Sequence, residues 1–159
     1  MSSIRQALRL AAASFLVASP ALATTATDHL TVTATVLSGC SLTGGTLSFG
    51  QYVSGQATNL DTTGTINYAN CNGNLTFELD GGTAGDVNNR AMGSGSNKLK
   101  YQLYKNSTRT AVWGTGTDAY ALQLLSTLTG TVNVYGRIPS GQTVAPGTYN
   151  DIVNITLTF

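Results

Sequence analysis

Chemistry-bearing residues are scarce in this chain. Among its 159 residues there is one histidine, one tryptophan and two cysteines, and only 9% of the chain is charged. With His29 as the single imidazole, no histidine pair can hold a metal, and any hydrolytic triad would have to use a residue near the N-terminus. The chain has no C-x-x-C pair, no G-x-S-x-G elbow and no G-x-G-x-x-G phosphate loop. Charge of either sign is also thin. The formal net charge is +1 for the whole chain, and removing the leader residues Arg5 and Arg9 takes it to −1. Such a balance provides no field for nucleic acid or an anionic membrane. Glu78 and Asp80 share one face of a patterned segment, but Leu75, Phe77 and Leu79 alternate with them. They read as a solvated outer face rather than a glycosidase pair. No enzyme, metal site or cofactor is expected.

What is present begins with an export signal. Arg5 and Arg9 open the chain, a short apolar run follows, Ser19-Pro20 breaks it, and Ala21-Leu22-Ala23 offers a small-residue cleavage site. Residues 1–23 therefore read as a signal peptide, and their apolar run is too short to span a bilayer. No second hydrophobic span follows, so no membrane span is expected. Residues 24–159 suffice for one domain with its own core. In an exported chain, Cys40 and Cys71 read as a disulfide in preference to metal or redox chemistry. A loop of roughly 30 residues would gain roughly 3 to 4 kcal/mol in the chain-entropy model.

The remaining polar surface is Thr, Ser, Asn and Gly, and the apolar residues recur with period two. Leu47 and Phe49 alternate after a Gly44-Gly45 turn. Ile66 and Tyr68 share a face, as do Leu75, Phe77 and Leu79, and Asn72-Gly73 between them carries a hairpin-turn signature. Residues 81–97, rich in Gly, Asn and Ser with Arg90, Ala91 and Met92 in the middle, read as a long surface loop. A strand over 98–104 sets Leu99, Tyr101 and Leu103 against Lys98, Lys100 and Gln102. Residues 119–128 could form at most a turn or two of helix. Val132 and Val134 mark another strand, residues 139–147 a loop, and Val153, Ile155, Leu157 and Phe159 a final strand. Short strands with turn signals at regular spacing predict an all-β sandwich.

One strand pattern stands apart from this domain. Leu30, Val32, Ala34 and Val36 alternate with Thr31, Thr33 and Thr35 close to the start of the exported chain. Terminal segments are usually poorly ordered unless tied down, so a well-patterned strand there needs an acceptor. The final strand, reaching Phe159, is expected to leave one apolar edge uncovered, which is an aggregation hazard unless another strand pairs with it.

Several motifs in order carry a family resemblance. Leu99-x-Tyr101-x-Leu103-Tyr104, Arg109, Trp113-Gly114, residues 136–142 (GRIPSGQ), residues 146–153 (PGTYNDIV), the Arg90-Ala91-Met92 run and the paired cysteines together resemble the spore coat protein U domain over about residues 30–159. The resemblance implies an incomplete immunoglobulin-like β-sandwich completed by a donor strand from a neighbouring subunit. It implies a structural subunit of an archaic chaperone–usher pilus that serves surface attachment and biofilm formation. Its expected partners are a periplasmic chaperone, an outer-membrane usher and neighbouring subunits; its route is the periplasm, then the cell surface. Residues 24–36 would be the donor extension, with Leu30, Val32, Ala34 and Val36 as the inserted face. Residues 37–159 would be the pilin domain, with Val153, Ile155, Leu157 and Phe159 on the acceptor strand. Two rival readings are a coat protein on a spore or cell surface, and a secreted carbohydrate-binding module using Trp113 with Tyr101, Tyr104 and Tyr120.

Overall fold

The computed structural model describes residues 27–35 and 39–159. The expected signal peptide (1–23), residues 24–26 of the expected extension, and Val36 lie outside the described residues. The chain divides into two units, 1–35 and 36–159, each treated by itself. Residues 27–35 carry no regular secondary structure and are exposed throughout, with Leu30 at 89% and Val32 at 82%. Among the described residues, the period-two pattern is thus present without a ladder partner.

The second unit contains strands β1 (Ser41–Thr43), β2 (Leu60–Leu79), β3 (Ala91–Ser94), β4 (Asn97–Lys100), β5 (Gln102–Tyr104), β6 (Tyr120–Ile138) and β7 (Ile155–Thr158). Two 3₁₀ turns, Gly82–Ala84 and Gly116–Asp118, complete the regular structure. Among the described residues no helix is long and apolar enough to cross a membrane. The all-β expectation holds.

The antiparallel pair β2–β6 is the spine. It runs from Leu60↔Ile138 to Phe77↔Tyr120. β5 pairs with the outer edge of β6, through Gln102↔Arg137 to Tyr104↔Tyr135. β1 and β7 both use the edge of β2 that β6 leaves free: β1 at Asn67 to Ala69, β7 at Thr76 to Leu79. β3 and β4 form a separate hairpin. One face of the spine is apolar because the period-two pattern puts Ile66, Tyr68, Leu75, Phe77 and Leu79 inward from β2, and Leu124, Val132, Val134 and Ile138 inward from β6. Leu99, Tyr101, Leu103 and Trp113 close the core. Trp113 is fully buried, and its indole N–H donates to the Phe77 carbonyl at 2.9 Å.

Four local readings are corrected. Asn72-Gly73 does not close a hairpin: β2 runs straight through it. The register slips there instead, from Tyr68 to Cys71 and from Cys71 to Gly73, and Leu128 faces Cys71 while Leu124 faces Gly73. The turn-forming residues serve a bulge, with Asn70 at φ 57° and Gly73 at φ 77°. Pairing with β6 overrides the local turn signal. Residues 120–128 lie in β6, not in a helical turn, because Leu122 and Leu124 meet strand partners on β2. The supposed surface loop at 81–97 contains β3 and the fully buried Arg90. The single strand expected over 98–104 is two: the inward alternation of Leu99, Tyr101 and Leu103 is continuous, but β4 pairs with β3 and β5 with β6.

Candidate strand-binding groove

The chain leaves β1 and crosses back over the spine as residues 45–54, which form no ladder of their own. Their inward residues, Leu47 and Phe49, settle on glycines. A Cβ at Gly64 would come within 3.2 Å of the Leu47 side chain, and a Cβ at Gly136 within 2.8 Å of the Phe49 ring. A side chain at Gly136 would force the Phe49 ring to shift, and one at Gly64 would push Leu47 back by a few tenths of an ångström. Phe49 then meets the Tyr101 ring edge-on, with centroids 6.0 Å apart. The segment is fixed by Thr62 Oγ1 donating to the Ser48 carbonyl at 2.8 Å. Tyr52 supports its far end, its hydroxyl accepting from the Gln142 amide at 2.9 Å and donating to the Pro139 carbonyl at 3.2 Å.

Opposite this wall runs a second, residues 144–155. Between the two lie adjoining hollows of about 420 and 880 Å³. The floor of the first is apolar: Ile66, Leu79, Leu103 and Val134. The second continues over Leu99 and Ile138. The two share Leu47, Phe49, Met92 and Tyr149, so together they form one long groove. Among the described residues no strand pairs with the outer edge of β7. Its backbone groups are therefore free to extend a ladder.

The second wall is tied down along its length. Asn150 exchanges backbone bonds with Gly93, at 2.8 and 3.0 Å. Asp151 accepts from the Tyr101 hydroxyl at 2.6 Å, and from the Thr83 amide and hydroxyl at 2.8 and 2.7 Å. Burial works to raise the Asp151 pKa, but these bonds, led by that of Tyr101, outweigh it and hold the carboxyl below its usual range. Burial, and then the Asp151 bond, push the Tyr101 phenol well above its ordinary value. Asn154 donates its backbone N–H and side-chain N–H to the Asp80 carboxylate at 2.9 and 2.6 Å. Arg90 anchors the far side of Asp80. Its guanidinium donates to the carbonyls of Leu79, Asp80, Val87 and Trp113 and to Gln102 Oε1, all within 3.3 Å. Its buried charge is thus solvated by neutral oxygens.

Of the expected acceptor residues, Val153 and Ile155 line the groove, Leu157 packs on the core beyond it, and Phe159 is exposed. Of the expected inserted face, Leu30, Val32 and Ala34 are exposed in the first unit. Cys40 and Cys71 form the disulfide, which pins β1 to the bulge of β2. The wall at 45–54 was not foreseen as part of a site. Its signal in the sequence is the pair Gly64 and Gly136, each interrupting an otherwise bulky strand face.

Two other arrangements are settled by burial and by hydrogen bonding. Trp113 and Tyr101 are core residues, so neither presents its ring to a carbohydrate. Glu78 accepts from the Gly116 amide at 2.7 Å while Asp80 holds Gly82 and Asn154, so these carboxylates secure loops. Among the described residues no acidic, histidine or cysteine cluster could hold a metal ion.

The family model described as Spore Coat Protein U domain matches residues 26–156. The chain belongs to the spore coat protein U domain family. Protein U of Myxococcus xanthus is a relative, 38% identical over 180 aligned residues that cover 100% of both chains. Solved structures share the fold of this spore coat protein U domain. One is from the CsuC–CsuE chaperone–tip adhesion subunit pre-assembly complex of the archaic chaperone–usher Csu pili of Acinetobacter baumannii (TM-score 0.56, 22% identity, 79% of this chain). The match spans 40% of that chain's length. Another is the P pilus rod subunit PapA (TM-score 0.52, 16% identity, 75% of this chain and 97% of that one). A third comes from a chaperone–usher pilus studied for rod uncoiling (TM-score 0.51, 16% identity, 84% and 96%). The architecture is the immunoglobulin-like fold of such pilin subunits.

Proposed function

We propose that this protein is a non-enzymatic structural subunit of an archaic chaperone–usher pilus. Residues 37–159 are its pilin domain and residues 24–36 a donor extension. The observation that carries the reading is the long groove with an apolar floor between residues 45–54 and 144–155, flanked by the free edge of β7. An extended strand laid there gains ladder bonds from β7 and buries alternate side chains on Ile66, Leu79, Leu103 and Val134. Leu30, Val32, Ala34 and Val36 of a second subunit supply a face with that period. A periplasmic chaperone fills the groove first, an outer-membrane usher exchanges it for the donor strand, and the fibre reaches the cell surface. Attachment and biofilm formation are the roles such a fibre would serve. A coat assembled from the same subunit–subunit contact is the second reading, favoured by the 38% identity to Protein U and by the family's name.

The test is co-expression with the chaperone and usher of an archaic chaperone–usher system, followed by electron microscopy of the cell surface. Val32→Asp puts an unpaired charge into the apolar groove, a penalty of several kcal/mol. The expected result is an intact chaperone complex with no fibre, while Thr33→Asp assembles. Normal fibres from Val32→Asp would refute the assignment of this face. A wild-type protein that makes no fibre but coats the cell would favour the second reading.

A further inference from the structure

The bulge in the spine carries two apolar side chains that the fold does not use. Across from the slip in β2, β6 spends three residues, 125–127, where β2 spends one, Asn72. Leu125 is thereby thrown outward and is 96% exposed; Leu128, paired with Cys71, is 45% exposed. The surrounding surface is polar, with Asn70, Asn72, Thr127 and Thr129 bonded to one another across the strands.

Gly39 and Cys40, the first described residues of the domain, lie at this corner. The disulfide fixes Cys40 to Cys71, the Cα partner of Leu128, and a Cβ at Gly39 would sit 3.8 Å from that of Asn70. Between Val36, the last residue of the donor face, and Gly39 there are two residues. A trans chain advances at most about 3.5 Å per residue, so this three-residue step spans at most about 11 Å. If Val36 sits in the groove of the next subunit, the rim of that subunit must come within about the same distance of this corner.

We infer that Leu125 and Leu128 form a second contact with the next subunit, a second copy of this chain, against the rim of the groove its extension enters. The inference rests on the donor-strand reading. The walls of the groove carry exposed apolar groups of their own, Ile152 beside the first hollow and Val53 beside the second. The contact explains why two leucines are left in water beside the disulfide that pins β1 at the start of the domain. It also limits the swing of one subunit on the next about a very short linker.

The experiment compares wild type with the double variant Leu125→Ser, Leu128→Ser. Two dissociation rates are measured in moderate guanidinium: subunits from fibres of the full chain, and a synthetic peptide of residues 27–38 from the groove of a single chain. Fibres of the variant are expected to release subunits about tenfold faster, with the peptide rate unchanged. An unchanged fibre rate would overturn the inference. So would a peptide rate that rises as much as the fibre rate, since the leucines would then act through the fold. Failure of the peptide to bind wild type would instead remove the donor-strand reading itself, and the contact with it.

Discussion

Replacing Arg90 with methionine keeps a long apolar stem and removes both the charge and every donor. In the native domain the guanidinium makes bonds to four backbone carbonyls and one side-chain oxygen. The bonds to the Leu79 and Trp113 carbonyls lie in the fully buried interior. Each carbonyl left without a partner there costs about 1 to 3 kcal/mol. Removal of a desolvated cation offsets part of that loss, because burial already works against the charge. A net loss of about 3 to 5 kcal/mol is expected, a large share of the roughly 5 to 15 kcal/mol that holds a typical domain together. With a urea m-value of about 2 kcal/mol/M, the unfolding midpoint should fall by roughly 1.5 to 2.5 M. Arg90→Lys should recover little, since a single ammonium cannot span acceptors arranged for a planar fork. The consequence for function runs through Asp80. Its carbonyl accepts from Arg90, while its amide and carboxylate hold Asn154 at the head of β7. Loosening Asp80 loosens the groove wall, so the variant should also bind the donor peptide more weakly. A midpoint within 0.5 M of wild type (about 1 kcal/mol at that slope) would refute the view of Arg90 as the clamp of this wall.

Gly136→Val places a branched side chain against Phe49 and Leu47. It should push residues 45–54 into the groove and abolish peptide binding measured by calorimetry, while far-UV circular dichroism stays that of a β-protein; unimpaired binding would show that this wall does not border the site. Asp151 has its pKa held down in the fold, as do Asp61, beside Arg137, and Asp80. For a depressed carboxylate the stabilisation is complete above the unfolded pKa of about 3.9 and is lost as pH falls through the folded value. Stability should therefore drop below about pH 4, and Asp151→Asn should flatten that drop in denaturation series at successive pH. Reduction of Cys40–Cys71, or Cys40→Ser with Cys71→Ser, should cost about 3 to 4 kcal/mol and free β1, which has only three ladder pairs. Non-reducing mass spectrometry should find the exported wild type two hydrogens lighter than the reduced chain.

The all-β class and most of the core are legible in the residues alone. Period-two runs around Phe77, Leu103, Val134 and Ile155 place side chains on one face of a pleat wherever the strand lies, so their burial could be read without knowing the partners. The disulfide is legible too, because only two cysteines were available in an exported chain. How those strands are joined depends on long-range pairing and is not written in any local stretch. Asn72-Gly73 is an equally good turn or bulge locally; the continuous ladder from β2 to β6 made it a bulge and carried Leu125 outward. The run from Leu99 to Leu103 keeps one inward face, yet its halves belong to different sheets, because pairing is settled by distant residues and not by pattern. Arg90 looked like a loop cation, since no local pattern records that five oxygens from four separate segments converge on it. The groove is of the same kind. Gly64 and Gly136 lie far apart in the chain, and become one notch for residues 45–54 only when β2 and β6 are laid side by side.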